Sequence, residues 1–144
     1  MYFEEFEVGQ KFQLKTITLT EKEIYEFAEK FDPQPIHIDE EFSKRSIFNG
    51  IIASGFHTMS AVWGQWIRAN KFGTEIIGGI GLDYMTWKSP VRPNEQLQTI
   101  VEVVEKIPSS KGGRGILVLK FTVMNPIEQV VLDTQARVII KSKI

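Results

Sequence analysis

The spacing of apolar residues changes period along the chain, and each change marks an element. From Lys11 to Leu19 the apolar members Phe12, Leu14, Ile17 and Leu19 alternate with polar residues, with a slip at Lys15-Thr16. That two-residue period predicts a strand carrying a bulge. After Thr20, Ile24, Phe27, Ala28 and Phe31 recur at three- and four-residue steps, the spacing of one buried helix face. Thr20 and Glu23 together form a capping box that starts this helix. Asp39 is placed to cap a short helix over Glu40 to Lys44. Phe56, Met59, Trp63, Trp66 and Ile67 then repeat the helical spacing, and Ala61, Val62 and Ala69 fill the other sides. A helix apolar almost all round, here about Phe56 to Asn70, belongs at the centre of a fold. Asn70 and Gly73 supply its stop.

The second half of the chain reads as strands. Ile76 to Trp87, Leu97 to Ile107, Ile116 to Met124 and Val130 to Lys141 are rich in alternating and β-branched residues. Pro90-Val91-Arg92-Pro93-Asn94, Ser109 to Gly115 and Asn125-Pro126 are the turns between them. One strand, a pair of helices and four long strands predict an α+β fold. Its antiparallel sheet of about five strands would curl around the central helix. Exposed edges of such a sheet would be covered by pairing two copies, which predicts a homodimer.

Composition narrows the function classes. The 144 residues suit a single domain, 1–144, with a real core. A net charge of −1 gives no argument for nucleic acid or for an anionic membrane surface. With no cysteine there is neither a disulfide nor a thiolate nucleophile or metal site. Ser46 to Ile67 carries no Asp, Glu, Lys or Arg, but its Asn, Ser, Thr, Gln, His and Gly residues are too polar for lipid. Met1 to Glu5 lacks a basic, apolar leader pattern. A soluble, cytoplasmic protein is expected.

The candidate chemistry lies in Phe31-Asp32-Pro33-Gln34-Pro35-Ile36-His37, which sets one of the two histidines beside a carboxylate. Asp32 and Gln34 each precede a proline and are biased away from helix, and both prolines have fixed φ. Fully extended, the segment would span roughly 17 Å, too far for Asp32 and His37 to share a water. A bend that turns both towards one pocket is therefore expected, giving an acid and an imidazole for general acid–base work.

These residues resemble the signature of the MaoC-like dehydratase family, whose best-known members are (R)-specific enoyl-CoA hydratases with a hotdog fold. The family pattern is Asp, any residue, Asn, Pro, an aliphatic residue and His. Here it stands as Asp32-Pro33-Gln34-Pro35-Ile36-His37, followed by the helix start Ser54-Gly55-Phe56. The likeness runs from Phe6-Glu7-Val8-Gly9-Gln10 through Pro90-Val91-Arg92-Pro93 to the last strand.

The resemblance implies a hydro-lyase acting on an acyl-CoA or acyl-carrier-protein thioester, interconverting 2-enoyl and (R)-3-hydroxyacyl forms. Asp32 and His37 would hold the catalytic water. The backbone N–H of Gly55 would bind the thioester carbonyl, and N–H groups at a helix start suit that role on physical grounds as well. Gln34 and Ser54 are expected against the substrate. Gln34 replaces the signature Asn, and Ser54 stands where several members carry His. Coenzyme A enters only as part of the substrate, and no other cofactor or metal is implied.

Other residues fit plainer roles. His57, near the positive start of the central helix, reads as a packed residue. A metal site from His37, His57 and Asp39 lacks ligand spacing. Met59, Trp63 and Trp66 read as core, beside a possible acyl tunnel. Lys88, Arg92, Lys111 and Arg114 are candidates for phosphate contacts, with none singled out. Two rival functions share the fold: an acyl-CoA thioesterase, disfavoured because Phe56 to Ile67 carries no acid, and a non-catalytic acyl-CoA or lipid-binding subunit.

Overall fold

Local capping and turn chemistry set most element boundaries. The computed structural model describes residues 1–144. After a 3-10 turn at Phe3–Glu5 come β1 (Lys11–Gln13), β2 (Ile17–Thr18), α1 (Glu21–Phe31), α2 (Pro35–Ile38), α3 (Glu40–Arg45) and α4 (Gly55–Arg68). The chain ends in β3 (Ile76–Trp87), β4 (Gln96–Pro108), β5 (Arg114–Met124) and β6 (Val130–Lys141). The capping box of α1 is formed: Glu23 N–H donates to Thr20 Oγ1 at 3.2 Å, and Thr20 N–H donates back to the Glu23 carboxylate at 3.0 Å. The Asp39 carboxylate caps α3 by accepting from Phe42 N–H at 3.0 Å. Asn70 stops α4 with φ 59°, the left-handed turn that Asn tolerates.

The strands form one antiparallel sheet in the order β1-β4-β5-β6-β3, with β2 also on β4. This is the α+β hotdog architecture implied by the sequence. On the core side, Val62 and Trp66 of α4 are fully buried. Trp66 meets Phe72 and Phe121 edge-on at 5.2 and 6.2 Å, an arrangement worth about 0.5–1.5 kcal/mol per pair beyond burial.

Three expectations are corrected. The strand expected over 11–19 divides into two short strands, both antiparallel to β4, and the register moves by one residue between them, at the expected slip. The sheet therefore has six strands. Phe31 was expected on the buried face of α1 but is 65% exposed. It ends the helix beyond the packed turn and leans on Phe27, centroids 5.1 Å apart. The central helix is not covered all round: His57, Thr58, Val62 and Trp66 face inward, while Phe56 and Ile67 face solvent. One sheet covers only one side of a helix.

β3 pairs only with β6 and is the outer strand, with register shifts around Gly78 and Gly81. Ile77, Ile80, Leu82 and Tyr84 stand exposed along it. No helix is long and apolar enough to cross a membrane.

Candidate active site

The prolines after α1 produce a one-turn helix instead of an extended loop. Asp32 ends α1 with φ −156° and ψ 67°, its N–H still bonded to the Ala28 carbonyl at 2.8 Å. Gln34 is the N-cap of α2, with Pro35 in the first turn, where a missing N–H costs nothing. The turn brings His37 back over Asp32, so the expected bend is present. His37 Nε2 lies 3.4 Å from Asp32 Oδ2.

Two contacts from distant segments fix this pair. The His37 ring is buried, and Nδ1 lies 2.6 Å from the Ile52 carbonyl. A carbonyl only accepts, so Nδ1 carries a proton, and Nε2 is the ring nitrogen that faces Asp32. Ser54 Oγ donates to Asp32 Oδ2 at 2.7 Å, and Gln34 Nε2 donates to Oδ1 at 2.8 Å. Partial burial raises the Asp32 pKa, but the Gln34 and Ser54 hydrogen bonds and the nearby His37 outweigh it and hold the carboxyl below its ordinary value. A carboxylate and an imidazole nitrogen thus face each other at the edge of one cavity. A water lodged against both can exchange protons with the pair.

α4 begins beside this pair. Ser54 is its N-cap and Gly55 its first residue. The N–H groups of Gly55 and Phe56 have no acceptor in the chain, as the first turn of a helix leaves them. A cavity of about 350 Å³ joins Gly55 to Asp32 and His37. Gln34, Ile52, Ala53, Phe56, Thr58, Trp87, Lys88 and Val91 are among its other walls.

The structure thus brings Asp32, His37, Gln34 and Gly55 to one cavity. Ser54 is the exception. It is completely buried, its hydroxyl is engaged by Asp32, and it does not line the cavity. The expected substrate contact is replaced by a hold on the carboxylate. Gln34 also spends its amide on Asp32. Met59 and Trp63 pack against the core and do not line the cavity. Lys88 lines the cavity and pairs with Asp133 at 3.5 Å, whereas Lys111 and Arg114 lie at the far hairpin.

His57 turns away from the cavity and stacks on Phe27, centroids 4.5 Å apart and planes 6° apart. Burial lowers its pKa, opposed weakly by Glu23. With Asp39 spent on α3, His37, His57 and Asp39 do not converge. Sequence reasoning missed the Ile52 carbonyl, a backbone group with no residue signature, and Trp87, which the far end of β3 delivers to Gly55. It also missed Thr58, whose buried hydroxyl has no hydrogen-bond partner; only its position one turn after Gly55 could have flagged it.

Comparisons with known proteins give the family. Residues 4–123 match the family model described as MaoC like domain, and the chain belongs to that family. It is 39% identical to the uncharacterized protein YdeM of Bacillus subtilis, over 98% of this chain and 99% of YdeM. It is 32% identical to a 3-hydroxybutyryl-CoA dehydratase of Methylorubrum extorquens, over 99% of this chain and 86% of that one. The crystal structure of a MaoC-like dehydratase from Rhodospirillum rubrum superposes with a TM-score of 0.92 at 29% identity, covering 100% of this chain and 99% of that one.

Proposed function

We propose that the protein is a hydro-lyase that adds water to a 2-enoyl thioester and removes it from the 3-hydroxyacyl thioester. The observation that carries this reading is the facing pair of Asp32 carboxylate and His37 Nε2, 3.4 Å apart, in one cavity with the free N–H of Gly55. In the hydration direction, a water held by the pair attacks C3 of the enoyl group. One proton of that water passes to the pair and a proton is delivered to C2. Which group acts as formal base is a property of the coupled pair. Negative charge builds on the thioester oxygen as C3 is attacked, and the Gly55 N–H at the positive start of α4 stabilises it. The thioester itself acidifies C2, so this route needs no metal or organic cofactor.

The name of the M. extorquens relative supports an acyl-CoA substrate, and a carrier-protein thioester has the same reacting atoms. The long, apolar outer edge of β3 suits pairing with a second copy of the chain, and sedimentation should return the mass of two chains.

Purified protein with crotonyl-CoA should lose the enoyl absorbance while releasing no free thiol. Thiol release would identify a thioesterase instead. Binding of saturated acyl-CoAs with no turnover of enoyl thioesters would identify a binding subunit.

A further inference from the structure

Gly55 is covered more closely than substrate approach would require. A Cβ on this residue would lie 2.0 Å from Cε2 and 2.2 Å from Nε1 of Trp87. The indole therefore rests directly on the Gly55 backbone, and it is Trp87 that excludes a side chain there. The same ring meets Phe56 edge-on, centroids 5.0 Å apart at 74°. Both rings line the cavity, and both are half in solvent, at 46% and 53% exposure.

The other side of the cavity differs in kind. Thr58, Ala53 and Val131 belong to the sealed interior, and enlarging the cavity there would leave a void in the core. Trp87 and Phe56 are half-exposed on the single chain and are not locked into that core. Two uncharged rings side by side match a hydrocarbon chain, and they offer little to the amides and phosphates of coenzyme A. At about 350 Å³ the cavity is near the lower end of the roughly 300–1,000 Å³ typical of small-molecule sites.

We propose that Trp87, backed by Phe56, bounds the acyl arm of the cavity and restricts it to short chains. The reaction in which this selection operates rests on the hydro-lyase reading, but the selection itself can be read from binding alone.

The test uses the full chain, Trp87→Ala and Trp87→Phe. Calorimetry gives Kd for butyryl-CoA and octanoyl-CoA, and kcat/KM is measured in parallel with crotonyl-CoA and 2-octenoyl-CoA. The wild type should favour the four-carbon chain. Trp87→Ala should move the eight-carbon to four-carbon ratio by about tenfold or more, the scale on which pockets discriminate methylenes. Trp87→Phe should move it less, and it carries the test if the alanine variant does not fold. The proposal is overturned if both chain lengths weaken in the same proportion, since Trp87 would then be a structural or carrier-side contact. It is also overturned if the wild type binds both chains equally or neither. Absent enoyl turnover alongside a shifted binding ratio would sink the hydro-lyase reading and leave the role of Trp87 standing.

Discussion

The surroundings of His37 and His57 make a controlled comparison within one chain. Both rings are buried, at 4% and 9% exposure, and both border α4 or its approach. His37 has a carbonyl on one nitrogen and a carboxylate facing the other. His57 has a phenyl ring against its face and a buried Nδ1 without a partner. Burial alone gives an imidazole that is hard to protonate. One nitrogen fixed on a carbonyl, the other facing a carboxylate, and an adjoining cavity give one that can pass protons. The partners, more than the residue type, decide the role.

The strongest challenge to this contrast is direct replacement. Asp32→Asn and His37→Ala should each lower crotonyl-CoA hydration by about 10²–10⁴-fold, the usual contribution of a positioned acid or base. His57→Leu should stay within a few-fold of wild type in the same assay. Equal losses at His37 and His57 would break the comparison. Gly55→Ala should come next, with a loss of about 10²-fold, because its methyl group displaces the Trp87 indole that it would overlap. Combining it with Trp87→Ala should recover part of the lost folding stability in a thermal melt.

Ser54→Ala sharpens the contrast by loosening the carboxylate without touching the cavity wall. It should cost about tenfold in kcat/KM, the scale of one hydrogen bond to a charged group. Because the Ser54 hydrogen bond lowers the Asp32 pKa, its loss should shift the carboxyl upward, measurable by NMR titration of the Asp32 side-chain carbon. A smaller effect is expected in stability against pH. The folded-state pKa of His57 lies below its unfolded value. As pH falls below about 6.5, the unfolded chain binds a proton first and stability declines, until pH passes the lowered folded-state value. His57→Leu should flatten that part of a pH series of urea melts. The smallest change is expected from Thr58→Val, which should leave the melting temperature unchanged or slightly raised, because the hydroxyl it removes has no partner to lose.

Much of this molecule is legible in one dimension. β3 and β6 have the bounds expected from alternation, and α1 starts at the expected capping box because those signals are local. Phe31 misleads because helical spacing says which residues share a face but not how far along the helix the neighbouring layer reaches. Asp32 and His37 were legible from their prolines and from the family signature. Only the family resemblance sets the Ser54 hydroxyl against the substrate, at a position where several members carry His. Its real partner, Asp32, lies 22 residues away, and no local pattern carries that information. The Ile52 carbonyl and the Trp87 indole were hidden for the same reason.

The long-range hydrogen bonds that hold the pair have a further consequence. Asp32 is tied to Ser54 across 22 residues, and His37 to Ile52 across 15, while the sheet rests on its own ladders and aromatic cluster. The reacting geometry therefore exists only while the α1–α2 segment is seated against the approach to α4. That segment is expected to lift as a small cooperative unit at a lower free energy than global unfolding. Turnover would then act as a gauge of that docking. In a mild denaturant series it should vanish while the β-sheet spectrum is still intact, and hydrogen exchange should mark Asp32 to His37 as the first amides to open.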